Sequence, residues 1–256
     1  MKDSTTLKDQ LVAVSREAGA VILNVYSRDF DAAQKADRSP VTEADTAAEA
    51  LIVQALSAVA PGIPVVAEEQ CASNGVPTDA PDRFFLVDPL DGTKEFIARN
   101  GEFTVNIALI ENGRPVLGVV YLPAFDTCYA GANGTAERRV GDDSPERIIA
   151  RPAPTEGLVM AISRSHADGE VARAKERGLN VAGTIVAGSS LKFCRLAEGA
   201  ADLYPRFGTT MEWDTAAGQA VLEAAGGRVE TVEGTPLGNG KAGFKNPHFI
   251  AYGRRG

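Results

Sequence analysis

Residues 84–93 read Phe84-Phe85-Leu86-Val87-Asp88-Pro89-Leu90-Asp91-Gly92-Thr93, a stretch that leaves the backbone few choices. Four consecutive apolar residues read as a strand that delivers the two aspartates. Pro89 fixes its own φ and biases Asp88 towards an extended conformation, so the chain turns where the strand ends. Two aspartates three positions apart can then face one point. Gly92 lets the backbone come close to a ligand, and Thr93 can open the short helix expected over residues 94–98. Carboxylate oxygens on one side and free N–H groups on the other suit a hard divalent cation held against a phosphate. For a bare Asp-x-x-Asp, an ordinary Asx-rich turn after a strand is the first reading. The rest of the chain decides between the two.

Before this stretch, Leu7, Leu11, Val14, Ala18, Val21, Ile22 and Val25 recur at steps of three or four, which predicts an amphipathic helix over residues 5–26. A second helix runs through Leu51, Ile52, Ala55, Leu56 and Val59 to Pro61-Gly62. Thr42, Glu43 and Asp45 stand where caps and first-turn acids belong, so Asp45 reads equally as a cap and as a site residue. Ile63 to Ala67 reads as a short buried strand running into Glu68-Glu69. Adjacent acids after a strand are ordinarily solvated. Two apolar strands that both end in acids can instead bring Glu68 onto one sheet rim with Asp88 and Asp91.

Beyond the central stretch, residues 102–110, 115–121 and 126–131 alternate as strands of an antiparallel meander, with a turn at Glu111-Asn112-Gly113-Arg114. Residues 134–147 read as a looser region. Arg151-Pro152-Ala153-Pro154 suggests a boundary between an N-terminal α+β half, 1–152, and a C-terminal α/β half, 153–256, in which strands and helices alternate. Three pieces of the second half carry chemistry-bearing side chains. They are the turn Ser163-Arg164-Ser165-His166, the helix start Gly188-Ser189-Ser190-Leu191-Lys192, and Tyr204-Pro205-Arg206 with Met211-Glu212-Trp213-Asp214-Thr215. Taken alone, Asp214 reads as a helix N-cap.

The net charge of −8 on 256 residues argues against a general basic surface for nucleic acid, though not against a small anionic ligand. Cys71, Cys128 and Cys194 are too few and too scattered for a disulfide framework, and with only His166 and His248 an imidazole metal site is not expected. No apolar run is long enough to span a bilayer. A cytoplasmic protein is expected, with peripheral association at the inner membrane left open, as is a homodimeric state.

The combination of Asp88-Pro89-Leu90-Asp91-Gly92-Thr93 with Trp213-Asp214-Thr215-Ala216-Ala217-Gly218 resembles the two signatures of the lithium-sensitive, magnesium-dependent inositol monophosphatase superfamily. The stretches 94–97, 99–110, 162–167, 188–194 and 203–208 resemble most closely its bacterial 3'(2'),5'-bisphosphate nucleotidases, the CysQ type. The resemblance implies a layered αβαβα sandwich of mixed α+β and α/β character. It further implies two or three Mg²⁺ ligated by Glu68, Asp88, Asp91, Asp214 and the Leu90 carbonyl, with Glu69 acting on the attacking water. Thr93 paired with Asp45 would handle that water's proton, and the Gly92 and Thr93 amides would hold the phosphoryl group. Ser189, Lys192, Arg206 and His166, with Asp214, would contact the remainder of a phosphorylated nucleotide. The implied activity is release of the 3'-phosphate from adenosine 3',5'-bisphosphate. Inositol monophosphate and fructose 1,6-bisphosphate are rival substrates, and a non-catalytic nucleotide-binding protein is the rival from another class.

Overall fold

A computed structural model of the chain describes residues 6–34, 40–163 and 167–255. The first helix, α1 (Leu7–Tyr26), starts at Thr6, whose hydroxyl and the Asp9 carboxylate form a reciprocal capping box. A small antiparallel pair, β1 (Ala32–Gln34) and β2 (Pro40–Thr42), leads into α2 (Glu43–Val59). Then follow β3 (Val65–Ala67), α3 (Glu68–Asn74), β4 (Arg83–Asp91) and α4 (Thr93–Ile97). The meander continues as β5 (Thr104–Glu111), β6 (Arg114–Leu122), β7 (Thr127–Ala132), β8 (Thr135–Val140) and β9 (Glu146–Ile148). These seven strands, β3 to β9, form one sheet in chain order, antiparallel except for the parallel pair β3 and β4.

The second half contributes β10 (Leu158–Ile162), α5 (Ala167–Glu176), β11 (Val181–Val186), α6 (Leu191–Ala197), β12 (Leu203–Arg206), α7 (Ala216–Ala224), β13 (Arg228–Thr231) and β14 (Phe249–Tyr252). Its five-stranded sheet has the order β11-β10-β12-β14-β13, parallel where β10 meets β11 and β12, and antiparallel around β14.

Period-two alternation along the strands divides the interior into layers. Phe85 and Val87 of β4 pack with Leu11, Ile22, Ile52 and Leu56 of α1 and α2. Their neighbours Phe84 and Leu86 face the other way, into a core shared with Phe193, Ala217, Val221 and Phe249. That second core lies between the two sheets and is filled by α6 and α7. Met160, Ile162 and Leu203 face a third cluster with Ala174 of α5. The result is the expected αβαβα sandwich, with the continuous apolar run of β4 buried on both sides.

Residues 134–147, expected to be loose, instead form most of the hairpin β8–β9 at the sheet edge. Their charged residues, Glu137, Arg138, Arg139, Glu146 and Arg147, mask the alternation, as edge strands commonly do. The three cysteines are free and buried. Among the described residues no helix is long and apolar enough to cross a membrane.

Helix α7 sits unusually close to the first sheet. A Cβ on Gly118 of β6 would stand 2.4 Å from the Ala217 carbonyl oxygen, and one on Gly131 of β7 would stand 2.6 Å from Val221 Cα. The backbone of α7 can approach only because both strands are bare there. Gly118→Ala is therefore expected to destabilise the fold by about 1–3 kcal/mol through overpacking. Urea denaturation should show a lower midpoint with unchanged slope. A wild-type midpoint would contradict the close approach.

Candidate active site

Parallel pairing of β3 with β4 sets Ala67 opposite Val87, so the next residue of each strand, Glu68 and Asp88, emerges at the same end of the sheet. The β4–β5 ladder is interrupted between Asp88 and Asp91. There the Leu90 N–H donates to Asp88 Oδ1 at 3.0 Å, an Asx-type turn that swings Asp91 back towards the rim. Asp214 arrives from the loop before α7, held by a hydrogen bond from the Met211 N–H to its Oδ2 at 2.8 Å. Glu68, Asp88 and Asp214 each bring a carboxylate oxygen within 4.8 Å of the others. Asp214 does not cap α7, contrary to the reading it invites alone. Thr215 occupies the N-cap, without a side-chain capping bond.

So many acids in one buried place disfavour their own ionisation. Burial, then the charges of Glu68, Asp91 and Asp214, push Asp88 well above the usual carboxylate range. Asp214 is raised likewise by burial and by Asp91 and Glu68. Asp91 is raised to about 6 chiefly by burial, against the opposing pull of Lys192 and Ser190. A donor set made wholly of oxygens, with more negative charge than the nearby cations offset, fits a hard divalent cation such as magnesium. Glu68, Asp88 and Asp214 face one another, and Asp91 follows in the same turn.

Asp45 caps α2 and also reaches Thr93. Its Oδ2 accepts from the Thr42 N–H and hydroxyl, each at 2.8 Å, completing a capping box at the start of α2. Its Oδ1 faces the Thr93 hydroxyl at 3.3 Å. That hydroxyl also lies 3.4 Å from the Leu90 carbonyl oxygen, so its single proton can serve either acceptor. Thr93 does not cap α4. Gly92 does, in the left-handed region at φ 91°, with the position of a Cβ 3.3 Å from the Glu102 carbonyl oxygen and from Ser189 Cβ.

Glu68 and Glu69 are not loop charges, because they open α3. Glu69 is buried, and its N–H and that of Gln70 donate to the Glu49 carboxylate at 2.7 and 2.8 Å. A buried glutamate on α2 thus satisfies the amides that start α3 and fixes where Glu68 points. Sequence reading passed over Glu49, although Asp45, Glu49, Ile52 and Leu56 share one helix face by their spacing and are all buried.

The second half contributes residues 187–190. The Gly188 N–H donates to Glu102 Oε2 at 2.9 Å, and the Ser189 hydroxyl donates to the Glu102 carbonyl at 3.0 Å. Lys192 is 4% exposed. Its ammonium donates to the Ala187 and Ser189 carbonyls at 3.2 and 2.7 Å and lies 5.2 Å from the Tyr204 ring centroid. Burial lowers it to about 8. Lys192 is therefore enclosed behind Ser189, holding the loop, while Ser189 itself is partly exposed. Arg206 is partly exposed, with Nη1 3.9 Å from Glu170 Oε1. His166 lies outside the described residues. Two further residues here were given no role by the sequence reading, although Ser190 lies within the stretch 188–192 that it singled out. Asn106 of β5 and Ser190 both lie against Asp91, and the Ser190 hydroxyl donates to the Asp214 carbonyl at 2.7 Å.

Comparison with known proteins agrees with this arrangement. The pattern of the inositol monophosphatase family matches residues 3–250. The 3'(2'),5'-bisphosphate nucleotidases CysQ of Shigella flexneri and Escherichia coli K12 are 47% and 46% identical to the chain over 244 residues, covering 94% of it and 97% of each relative. Among solved structures, that of CysQ from Bacteroides thetaiotaomicron superposes with a TM-score of 0.80 at 37% identity, covering 99% of both chains. An inositol monophosphatase from Thermotoga maritima gives 0.76 at 25% identity over 95% of this chain and 91% of its own. The acids that meet at the ends of β3, β4 and the loop before α7 therefore stand on a shared architecture, and the chain belongs to the inositol monophosphatase family.

Proposed function

We propose that the chain is a magnesium-dependent phosphoric monoester hydrolase that removes the 3'-phosphate of adenosine 3',5'-bisphosphate, giving AMP and phosphate. It would act also on the sulfated analogue, 3'-phosphoadenylyl sulfate. The observation that carries the chemistry is the convergence of Glu68, Asp88 and Asp214 oxygens within 4.8 Å. The nucleotide as substrate is supported by the names of full-length relatives at 46–47% identity. Free, buried cysteines are consistent with a reducing, cytoplasmic setting. The proposed divide into halves 1–152 and 153–256 is supported by the end of the first sheet at Ile148 and the start of the second at Leu158.

Phosphate monoesters hydrolyse extremely slowly unaided, so the site must supply a nucleophile and offset charge on the in-line oxygens. Magnesium, when bound, supplies both kinds of assistance. Glu68, Asp88, Asp91, Asp214 and the Leu90 carbonyl are the groups assigned to hold it. Thr93 is assigned to take up a proton from the attacking water as it passes its own to Asp45, whose Oδ1 stands 3.3 Å away. The second Asp45 oxygen is already committed to Thr42, which keeps the carboxylate aimed. Glu69, next along α3 from Glu68, is assigned as a further proton acceptor. The Gly92 and Thr93 amides would receive the phosphoryl oxygens as they gain charge. Ser189 and Arg206, both partly exposed, would bind the second phosphate and ribose, and the family resemblance assigns His166 to the same task; the fork of Arg206 suits a phosphate. Lys192 would contribute its positive charge from behind Ser189 and by keeping that loop in place.

Phosphate release with Mg²⁺ should be fastest, by kcat/KM, on adenosine 3',5'-bisphosphate in a panel that includes inositol monophosphate and fructose 1,6-bisphosphate. Preference for either of the last two would replace the nucleotide reading. Asp91→Asn should abolish Mg²⁺-dependent turnover while circular dichroism remains that of the wild type; near-normal kcat would remove Asp91 from the ligand set.

The raised carboxylates also define a pH dependence. In the ion-free fold Asp91 keeps its proton up to about 6, whereas the unfolded value is 3.8. Its contribution to stability is thus complete below about 4 and is lost as pH rises through about 6. Asp88 and Asp214 act in the same direction. Because Mg²⁺ must displace those protons, the rise in Tm that it produces should be small at pH 5 and large at pH 8. An equal rise at both would show that these carboxylates do not take the ion.

A further inference from the structure

We propose that Asn106 is a positioning residue that sets the affinity of the acid cluster for a divalent cation, by tying Asp91 through Ser190 to the main chain of Asp214. The proposal rests on the magnesium reading above and adds to it a link between the two halves of the chain.

Asn106 sits mid-strand in β5, opposite Asp88 in the ladder, and is 1% exposed. Its strand neighbours Val105 and Ile107 are apolar and fully buried. A primary amide in such a place is costly unless its polar atoms are used. Asn106 Nδ2 donates to Ser190 Oγ at 2.9 Å and lies 3.4 Å from Asp91 Oδ2. Ser190 gives its only hydroxyl proton to the Asp214 carbonyl at 2.7 Å, so towards Asn106 it can act only as acceptor. An ionised Asp91 is acceptor-only as well. Both neighbours therefore require donors at one point, and the –NH₂ of asparagine provides two. Aspartate of the same shape would add charge and supply none, while leucine would leave both acceptors unpaired.

The chain Asp91–Asn106–Ser190–Asp214 crosses from β4 and β5 to α6 and the start of α7. Once both carboxylates are ionised, like charges on Asp91 and Asp214 push these segments apart, and this buried link opposes that push. Asn106 Oδ1 meanwhile is a buried acceptor with no partner among the described residues. Buried acceptors without donors are rare in folded proteins. A hydrated cation brings O–H donors with it, which gives this oxygen a use that the ion-free chain does not.

Calorimetric titration of the intact chain with MgCl₂ tests the link. Asn106→Ala and Ser190→Ala should each weaken Mg²⁺ binding by about 10-fold or more, as loss of groups that orient ligands typically does. Because both break one chain, the double variant should lie within roughly twofold of the weaker single variant instead of showing the product of the two losses. Asn106→Asp should bind no better than Asn106→Ala. Should Asn106→Ala fail to fold, Ser190→Ala decides alone, since that hydroxyl caps no helix amide. Wild-type affinity in either single variant, or losses that multiply, would overturn the proposal. Failure of the wild-type chain to bind Mg²⁺ at all would instead bring down the metal reading on which it rests.

Discussion

Carboxylates that repel one another in a buried place are the constraint on which the rest of this structure turns. Without a cation, desolvation and mutual repulsion oppose bringing Glu68, Asp88, Asp91 and Asp214 together. The fold must therefore hold them by other means, and each acid has its own. Glu68 is presented by α3, whose first amides are anchored on Glu49. Asp88 is fixed by the Leu90 amide, Asp214 by that of Met211, and Asp91 by Asn106 and Ser190. Carboxylates already held in place would need little rearrangement to take the proposed cation, which would displace the protons that burial favours.

The layered architecture serves that purpose. A single parallel pair within an otherwise antiparallel sheet brings the carboxyl ends of β3 and β4 to one rim, which a strict meander would not do. Bare glycines on β6 and β7 let α7 settle deep against the sheet, and this depth determines where the preceding Asp214 stands. The site thus lies where the helical layer between the two sheets meets the rim of the first, with residues from both halves around it.

Secondary elements with strong periodicity were legible from the sequence. The helix α1, the meander and most of the alternation of the second half follow from residue spacing within a residue or two at the ends, whereas β4 runs on through Pro89 to Asp91 and β14 carried no sequence expectation. The hairpin β8–β9 was not, because an edge strand bearing Glu137, Arg138 and Arg139 lacks the apolar alternation that marks a half-buried one. The start of α3 at Glu68 was also misread. Two acids after a strand look solvated until a buried partner, Glu49, is known to accept their amides.

Residue types and motif spacing by themselves determined that oxygen-donor acids stand at element ends and that one of them is followed by a glycine able to turn left-handed. They left Asp45 balanced between cap and site, read Asp214 taken alone as a cap, marked the stretch holding Ser190 without giving that residue a role, and were silent on Asn106 and Glu49. Only the tertiary structure decided those points, for a physical reason. A carboxylate or amide acquires its role from the groups that face it across the chain, and the partners here lie 15 to 84 positions away in sequence. Local pattern fixes which elements form and which side chains they carry. Long-range packing fixes which of those side chains meet.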